Sequence, residues 1–94
     1  MVEKVKNKVI IKPEWVFNTY SVLIVKPSID GKTNEIEIDL SNVKIVDTEG
    51  IKFFYNLAKE GKKVIVKNPP ELMFTVLKIL DIEDIFTETV NISQ

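Results

Sequence analysis

The segment from Asp47 to Gly50, of sequence DTEG, contains the residue types in this chain that best fit a specific chemistry. An apolar stretch with helical spacing, Ile51 to Lys59, follows it at once. The segment therefore predicts a helix N-terminus, where unpaired backbone N–H groups and the helix dipole favour negative charge. A hydroxyl group there is well placed to carry or to present a phosphate, and Thr48 supplies one.

The same four residues also have a purely structural interpretation. Asp47 or Thr48 could act as the N-cap, and Glu49 in the first turn would add a favourable charge, together contributing roughly 1 kcal/mol without any function. Glu49 also bears on the phosphate hypothesis, since it could hinder a kinase or partly imitate a phosphorylated neighbour. These residues alone leave the two interpretations open.

Composition excludes several classes of function. The 94 residues contain no cysteine and no histidine, which removes thiolate nucleophiles, disulfides, the commonest general base and the commonest metal ligand. All 13 basic residues are lysines, so bidentate recognition by arginine is not available. With a net charge of −1 the chain has no electrostatic footprint for nucleic acid. We predict a non-enzymatic protein with no cofactor, no metal site and no nucleic-acid partner.

Three segments make up the predicted first half. Residues 2–11 are rich in β-branched side chains and predict one strand or a tight hairpin, ended by Pro13. Residues 15–25 fit either a helix or a strand, and we favour a helix with Val16, Tyr20, Leu23 and Ile24 on one face. Residues 35–39 alternate acidic and apolar side chains, the pattern of a strand with one buried face. We interpret those acids as a solvated face, not as a cation site.

The second half is more regular. Gly61 is placed to end the helix after Asp47, and residues 63–67 predict a short buried strand. A helix is expected to begin at residues 69–71, with an apolar stripe formed by Leu72, Met73, Val76, Leu77 and Leu80. Residues 85–90 predict a last strand, and residues 91–94 a frayed tail.

This order of elements predicts the fold class. Strands alternate with helices, which indicates an α/β domain built from successive crossover connections. We expect a small mixed, mostly parallel β-sheet with helices mainly on one face, because the acidic alternation in residues 35–39 leaves the other face partly solvated. Residues 1–94 are expected to form a single domain.

The ordered series of motifs resembles the STAS domain, the family typified by bacterial anti-sigma factor antagonists. The residues that carry the resemblance are Asp39-Leu40-Ser41, then Asp47-Thr48-Glu49-Gly50, Gly61-Lys62, Val64 to Val66, Leu72 to Leu80, and Ile82 to Phe86. They span roughly Glu35 to Val90, a little over half of the chain. Glu49 departs from the family pattern, which usually has a small residue there.

The resemblance implies a function. It implies that Thr48 is phosphorylated by a partner that is both anti-sigma factor and serine/threonine kinase, and that the phosphorylated form is released. The partner-binding surface would comprise Asp47, Thr48, Glu49, Gly50, Ile51, Lys52 and Tyr55. The alternative is a STAS scaffold, an accessory subunit of a membrane transport complex without a phospho-switch.

Three further expectations concern the surroundings of the chain. Its N-terminal residues lack the hydrophobic region of a signal peptide and no apolar run could span a bilayer, so we expect a cytoplasmic location without membrane insertion. A weak homodimer is considered as well. Trp15 is left open between a lid on the core and a contact for a partner.

Overall fold

The structure, a computed structural model, describes residues 1–93 and contains seven strands in that range. They are β1 (Val2–Val5), β2 (Lys8–Ile11), β3 (Trp15–Phe17), β4 (Glu35–Asp39), β5 (Val43–Val46), β6 (Lys63–Lys67) and β7 (Asn91–Ser93). Five of them form the main sheet, in the order β1-β2-β4-β6-β7. β1 and β2 pair antiparallel as a hairpin, and the remaining neighbours in this sheet are parallel.

The other two strands, β3 and β5, form a small parallel sheet of their own. Each leads directly into a helix. β3 is followed by α1 (Thr19–Val25), and β5 is followed by α2 (Thr48–Lys59). Because the two strands run in the same direction, the two helices begin at the same end of this small sheet.

A short 3-10 helix, Lys26–Ser28, continues α1, and the remaining helices are α3 (Glu71–Ile79) and α4 (Glu83–Thr89). Helix α2 ends as the sequence predicted. Its C-cap is Glu60, and Gly61 follows with φ of 96°, a conformation that a side chain would oppose.

The main sheet buries one face only. In β4 the side chains of Ile36 and Ile38 are fully buried, while Glu35, Glu37 and Asp39 between them stay partly exposed. β6 repeats the pattern, with Val64 and Val66 inside. The helices supply the other half of the core through the buried residues Val25, Phe54, Met73, Leu77 and Phe86. The predicted α/β class, a mostly parallel sheet with one covered face, is confirmed.

Two segments differ from the sequence prediction. Residues 15–17 are extended as β3, and the helix begins only at Thr19, since Asn18 caps it by accepting hydrogen bonds from the backbone of Tyr20 and Ser21. Residues 85–90, predicted as the last strand, lie mostly in α4. The helix packs Phe86 into the core, so burial of one large side chain prevailed over strand propensity.

The last strand lies later in the chain than predicted. Asn91–Ser93 is β7, where Ile92 pairs with Val66 at the edge of the main sheet. The predicted frayed tail is therefore wrong for residues 91–93. Its final residue, Gln94, lies outside the described range.

Candidate functional site

The candidate site lies where β5 turns into α2, beside the equivalent turn from β3 into α1. Phe17 and Val46 are paired in the small sheet, and each is the last residue of its strand. The backbone N–H of Asp47 donates to the Phe17 carbonyl oxygen at 3.1 Å, which extends the pairing one residue further. The two helix N-termini are thereby held side by side.

Asp47 is the N-cap of α2. Its Oδ1 accepts a hydrogen bond from the Gly50 backbone N–H at 2.9 Å, and its carbonyl accepts from Ile51 N–H at 3.1 Å. Capping is therefore done by Asp47, and Thr48 becomes the first residue of the helix. Thr48 is exposed, and its hydroxyl makes no hydrogen bond to any other side chain or backbone group within residues 1–93. The Thr48 side chain is therefore open to solvent.

Gly50 allows the helix to approach the small sheet closely. A Cβ at this position would lie 2.8 Å from the Phe17 carbonyl oxygen, 2.9 Å from Phe17 Cδ1 and 2.9 Å from Val46 Cγ1. Real Cβ atoms do not come this close to backbone atoms. The glycine is thus required by packing, which is a role that the DTEG pattern alone did not reveal.

The predicted partner-binding residues divide between the surface and the interior. Thr48, Glu49 and Lys52 are exposed, and Asp47 and Tyr55 are half-buried. Gly50 and Ile51 are buried, so they shape the surface without presenting a side chain to it.

Helix α2 presents one continuous outer face. Thr48, Lys52 and Tyr55 follow one another at intervals of four and three residues, which places them on the same side. Lys52 Nζ lies 3.5 Å from Glu49 Oε1 in an exposed ion pair, and Lys59 Nζ lies 5.9 Å from the centre of the Tyr55 ring. The face is therefore charged at its N-terminal end and aromatic near its middle.

Beside Tyr55 the surface contains a small apolar hollow of about 170 Å³. Its other lining residues are Ile82, Ile85 and Phe86 of the α4 region, of which Ile85 is 52% exposed. An apolar hollow next to a row of polar side chains is a common pattern at docking surfaces. The structure brings these α4 residues to α2, which the sequence did not indicate.

Phe53 and Phe54 belong to the core. With Phe17 they form an aromatic cluster whose ring centres are 4.9 to 6.2 Å apart. Such separations are favourable for offset and tilted aromatic pairs. The cluster fixes α2 against the small sheet, and so it fixes the orientation of Thr48.

The acidic residues of β4 are engaged by lysines. Lys8 Nζ lies 3.1 Å from Glu35 Oε2 and 3.3 Å from Glu37 Oε1, and the hydrogen bonds that it donates to Glu35 and then to Glu37 raise the pKa of Lys8. Lys67 Nζ lies 3.3 Å from the same Glu37 oxygen. Partial burial raises the pKa of Glu37, but hydrogen bonds from the two lysines outweigh it, and the net pKa lies below its usual value.

Helix α1 is the feature that sequence reasoning described least well. Val16, Tyr20, Leu23 and Ile24 were expected to form its apolar face. Val16 instead lies in β3, before the helix begins, and the structure leaves Tyr20, Leu23 and Ile24 76%, 62% and 63% exposed. Val25 is the residue that faces the core. The capping box of Asn18 and Ser21 was the signal that could have corrected this prediction. It fixes the residue at which the helix begins, and therefore which side chains face the core. Trp15, whose environment was left open, is 69% exposed.

Within residues 1–93 no helix is both long and apolar enough to cross a bilayer.

Over the described residues, 1–93, the order and pairing of the strands, with four α-helices against one face, define the STAS fold. A solved structure with this fold is described as the anti-sigma factor antagonist SpoIIAA in its unphosphorylated form. The superposition has a TM-score of 0.66 with 18% sequence identity, and it covers 84% of this chain and 81% of SpoIIAA. No family model matches the sequence, and no curated protein matches it. The similarity at this level of identity establishes the fold.

Proposed function

We propose that this chain is a non-enzymatic regulatory module that binds an anti-sigma factor with serine/threonine kinase activity and is released when that partner phosphorylates Thr48. The observation that supports it best is the position of Thr48. The hydroxyl is exposed at the first residue of a 12-residue helix, and Asp47 already caps that helix. Thr48 is therefore not needed to cap the helix.

A phosphate on Thr48 is compatible with the fold. It would add between about −1.5 and −2 charges at a helix N-terminus, where backbone N–H groups and the dipole favour an anion. Lys52, one turn later on the same face, is within reach of such a group by helical spacing. The modification is expected to leave the domain folded.

The same phosphate would oppose docking. The proposed contact surface is the outer face of α2, from Thr48 through Lys52 to Tyr55, with the apolar hollow beside Tyr55 as its anchor. A partner that covers this face must remove water from the phosphate and bring it near its own charges, and Glu49 already adds one negative charge there. Phosphorylation therefore acts on association and not on folding.

The first experiment tests the modification. Incubation with a candidate anti-sigma kinase and ATP is expected to add one phosphate, seen as a single mass increment, and Thr48→Ala is expected to abolish it. Thr19→Ala is the matched control, because Thr19 is likewise an exposed threonine at the first position of a helix. Labelling that persists in Thr48→Ala would contradict the proposal.

The second experiment tests release. The phosphorylated chain is expected to bind the kinase at least about 100-fold more weakly than the unmodified chain, since a charge that is buried without a partner costs several kcal/mol. Binding to membrane transport subunits, with no phosphate transferred by any kinase tested, would instead favour a scaffold without a switch.

A further inference from the structure

We infer that the outer face of helix α1 binds a second copy of this chain, so that the protein forms a weak isologous dimer. The face consists of Tyr20, Leu23 and Ile24, which lie on one side of the helix at spacings of three and four residues. This inference goes beyond the proposed function and does not depend on Thr48.

The exposure of this face is unusual for its size. All three side chains are more than 60% exposed, although the helix has only 7 residues. Together they present roughly 400 Å² of apolar surface, which is within the range of the largest patch on a typical monomer, about 300 to 600 Å², and such patches commonly mark contact sites.

The charge distribution favours a second copy as the occupant. The segment 15–25 contains no charged residue, so two copies of the face can meet without bringing like charges together. The first charge after the helix is Lys26. In an antiparallel contact across a two-fold axis, Lys26 would lie beside the partner's uncharged α1 start and away from its own counterpart.

A second exposed apolar set does not share this property. Leu72, Ile79 and Leu80 of the α3 region are also exposed, but Lys78 and Asp81 lie among them. An isologous contact there would remove both charges from water, which costs free energy. Of these two sets, the α1 face is the one that can meet its own copy without burying a charge.

The small area limits the strength of the contact. Two α1 faces would bury roughly 800 Å², less than the approximately 1,200 Å² of the smallest stable interfaces. A dimer of this size is expected to dissociate in the range of about 0.1 to 1 mM. The interface is therefore weak and reversible.

Sedimentation equilibrium between about 10 µM and about 2 mM tests the inference, since that range brackets the expected dissociation constant. The wild-type mass is expected to rise with concentration from 10.8 kDa towards twice that value. Leu23→Glu is expected to remain monomeric throughout, and Ile79→Glu, a matched change on the exposed part of α3, is expected to dimerise like wild type.

A mixing experiment tests that the contact is isologous. Leu23 is the middle residue of the face, so it lies nearest the two-fold axis and meets its own copy. Leu23→Lys alone should also be monomeric, and an equimolar mixture of Leu23→Glu and Leu23→Lys should associate again. A wild-type chain that stays monomeric up to about 2 mM, a dimer that Ile79→Glu disrupts and Leu23→Glu does not, or a mixture that fails to associate would each overturn the inference. Thr48→Ala should dimerise normally, which separates this result from the fate of the phosphorylation proposal.

Discussion

The Phe17 carbonyl oxygen lies against Gly50, only 2.8 Å from the place where a Cβ would be. The same oxygen accepts the N–H of Asp47 at 3.1 Å. One backbone atom at the end of β3 therefore positions both ends of the DTEG turn between β5 and α2. Because Thr48 lies between those two residues, its orientation is fixed by a strand that lies about thirty residues earlier in the chain.

This contact predicts the effect of adding a methyl group at Gly50. On helix propensity alone Gly50→Ala should stabilise the protein by about 0.5 to 1 kcal/mol. The clash with Phe17 and Val46 is expected to reverse the sign and to destabilise by about 1 to 3 kcal/mol. Urea unfolding measures the difference.

Gly31→Ala is the control for that change, since a Cβ at Gly31 meets nothing within 4 Å and the φ of Gly31 lies outside the left-handed region. It is expected to change the free energy of unfolding by less than about 1 kcal/mol. A Gly50→Ala variant as stable as wild type would show that α2 can move away from the small sheet.

The N-cap of α2 predicts that substitutions at residues 47 and 48 differ in their effect on stability. Asp47→Ala removes the acceptor for Gly50 N–H and is expected to lower the free energy of unfolding by about 1 kcal/mol. Asp47→Ser, which retains a capping oxygen, should recover most of the loss. Thr48→Ala should have an effect below about 0.5 kcal/mol, because Thr48 is exposed and does not cap the helix. A larger effect at residue 48 than at residue 47 would reverse the assignment of the cap.

Stability should decrease in acid through Asp30. A hydrogen bond from Lys4, at 2.9 Å, and a second from the Lys32 backbone lower the pKa of Asp30 from 3.8 to about 2. A carboxylate with a lowered folded pKa stabilises the protein above its unfolded pKa and loses that contribution as protons bind. The contribution should therefore be complete near neutral pH and disappear between pH 3.8 and about 2.

Urea unfolding of wild type and Asp30→Asn across this pH range checks the prediction. The variant should be less stable at pH 7, and the gap should close as the pH falls towards about 2. Asp39 will add acid sensitivity of the same sign, because a backbone hydrogen bond from Ser41 lowers its pKa as well. A gap between the two proteins that is constant with pH would contradict the role of Asp30.

Negative charge at Thr48 should be tolerated by the fold. Thr48→Glu places a carboxylate in the first turn of α2, and we expect the free energy of unfolding to stay equal or to rise by about 0.3 to 1 kcal/mol. Thr48→Lys should be less stable by a similar amount, and added salt should reduce both effects. A marked loss of stability in Thr48→Glu alone would mean that a phosphate acts by unfolding the turn, and not by opposing a partner.

Local signals predicted much of this fold. The alternating pattern of β4, the turn into α2 and the end of α2 at Gly61 each depend on residues that lie close together in the sequence. Capping, φ preferences and side-chain periodicity operate over that distance, so a single sequence contains them. They were sufficient to place the DTEG turn at a helix N-terminus.

The tail of the chain shows where local signals were not enough. Residues 85–90 contain apolar and β-branched side chains that suit a strand, yet they are mostly helical because Phe86 packs into the core and Val90 follows it inside. The strand that completes the sheet is β7, and its place depends on pairing with β6, more than twenty residues earlier. Pairing of this kind cannot be seen in a short window of sequence.

The amino-acid sequence by itself determined the chemistry available to this protein and the location of its candidate site. It contains lysine but no arginine, histidine or cysteine, and it has one acidic, hydroxyl-bearing turn before a helix. Tertiary structure decided which side chains reach the surface: it buried Gly50 and Ile51, brought Ile85 beside Tyr55, and left Tyr20, Leu23 and Ile24 exposed. The reason is physical, since burial depends on contacts between elements that are distant in the chain, whereas capping and periodicity depend on neighbours.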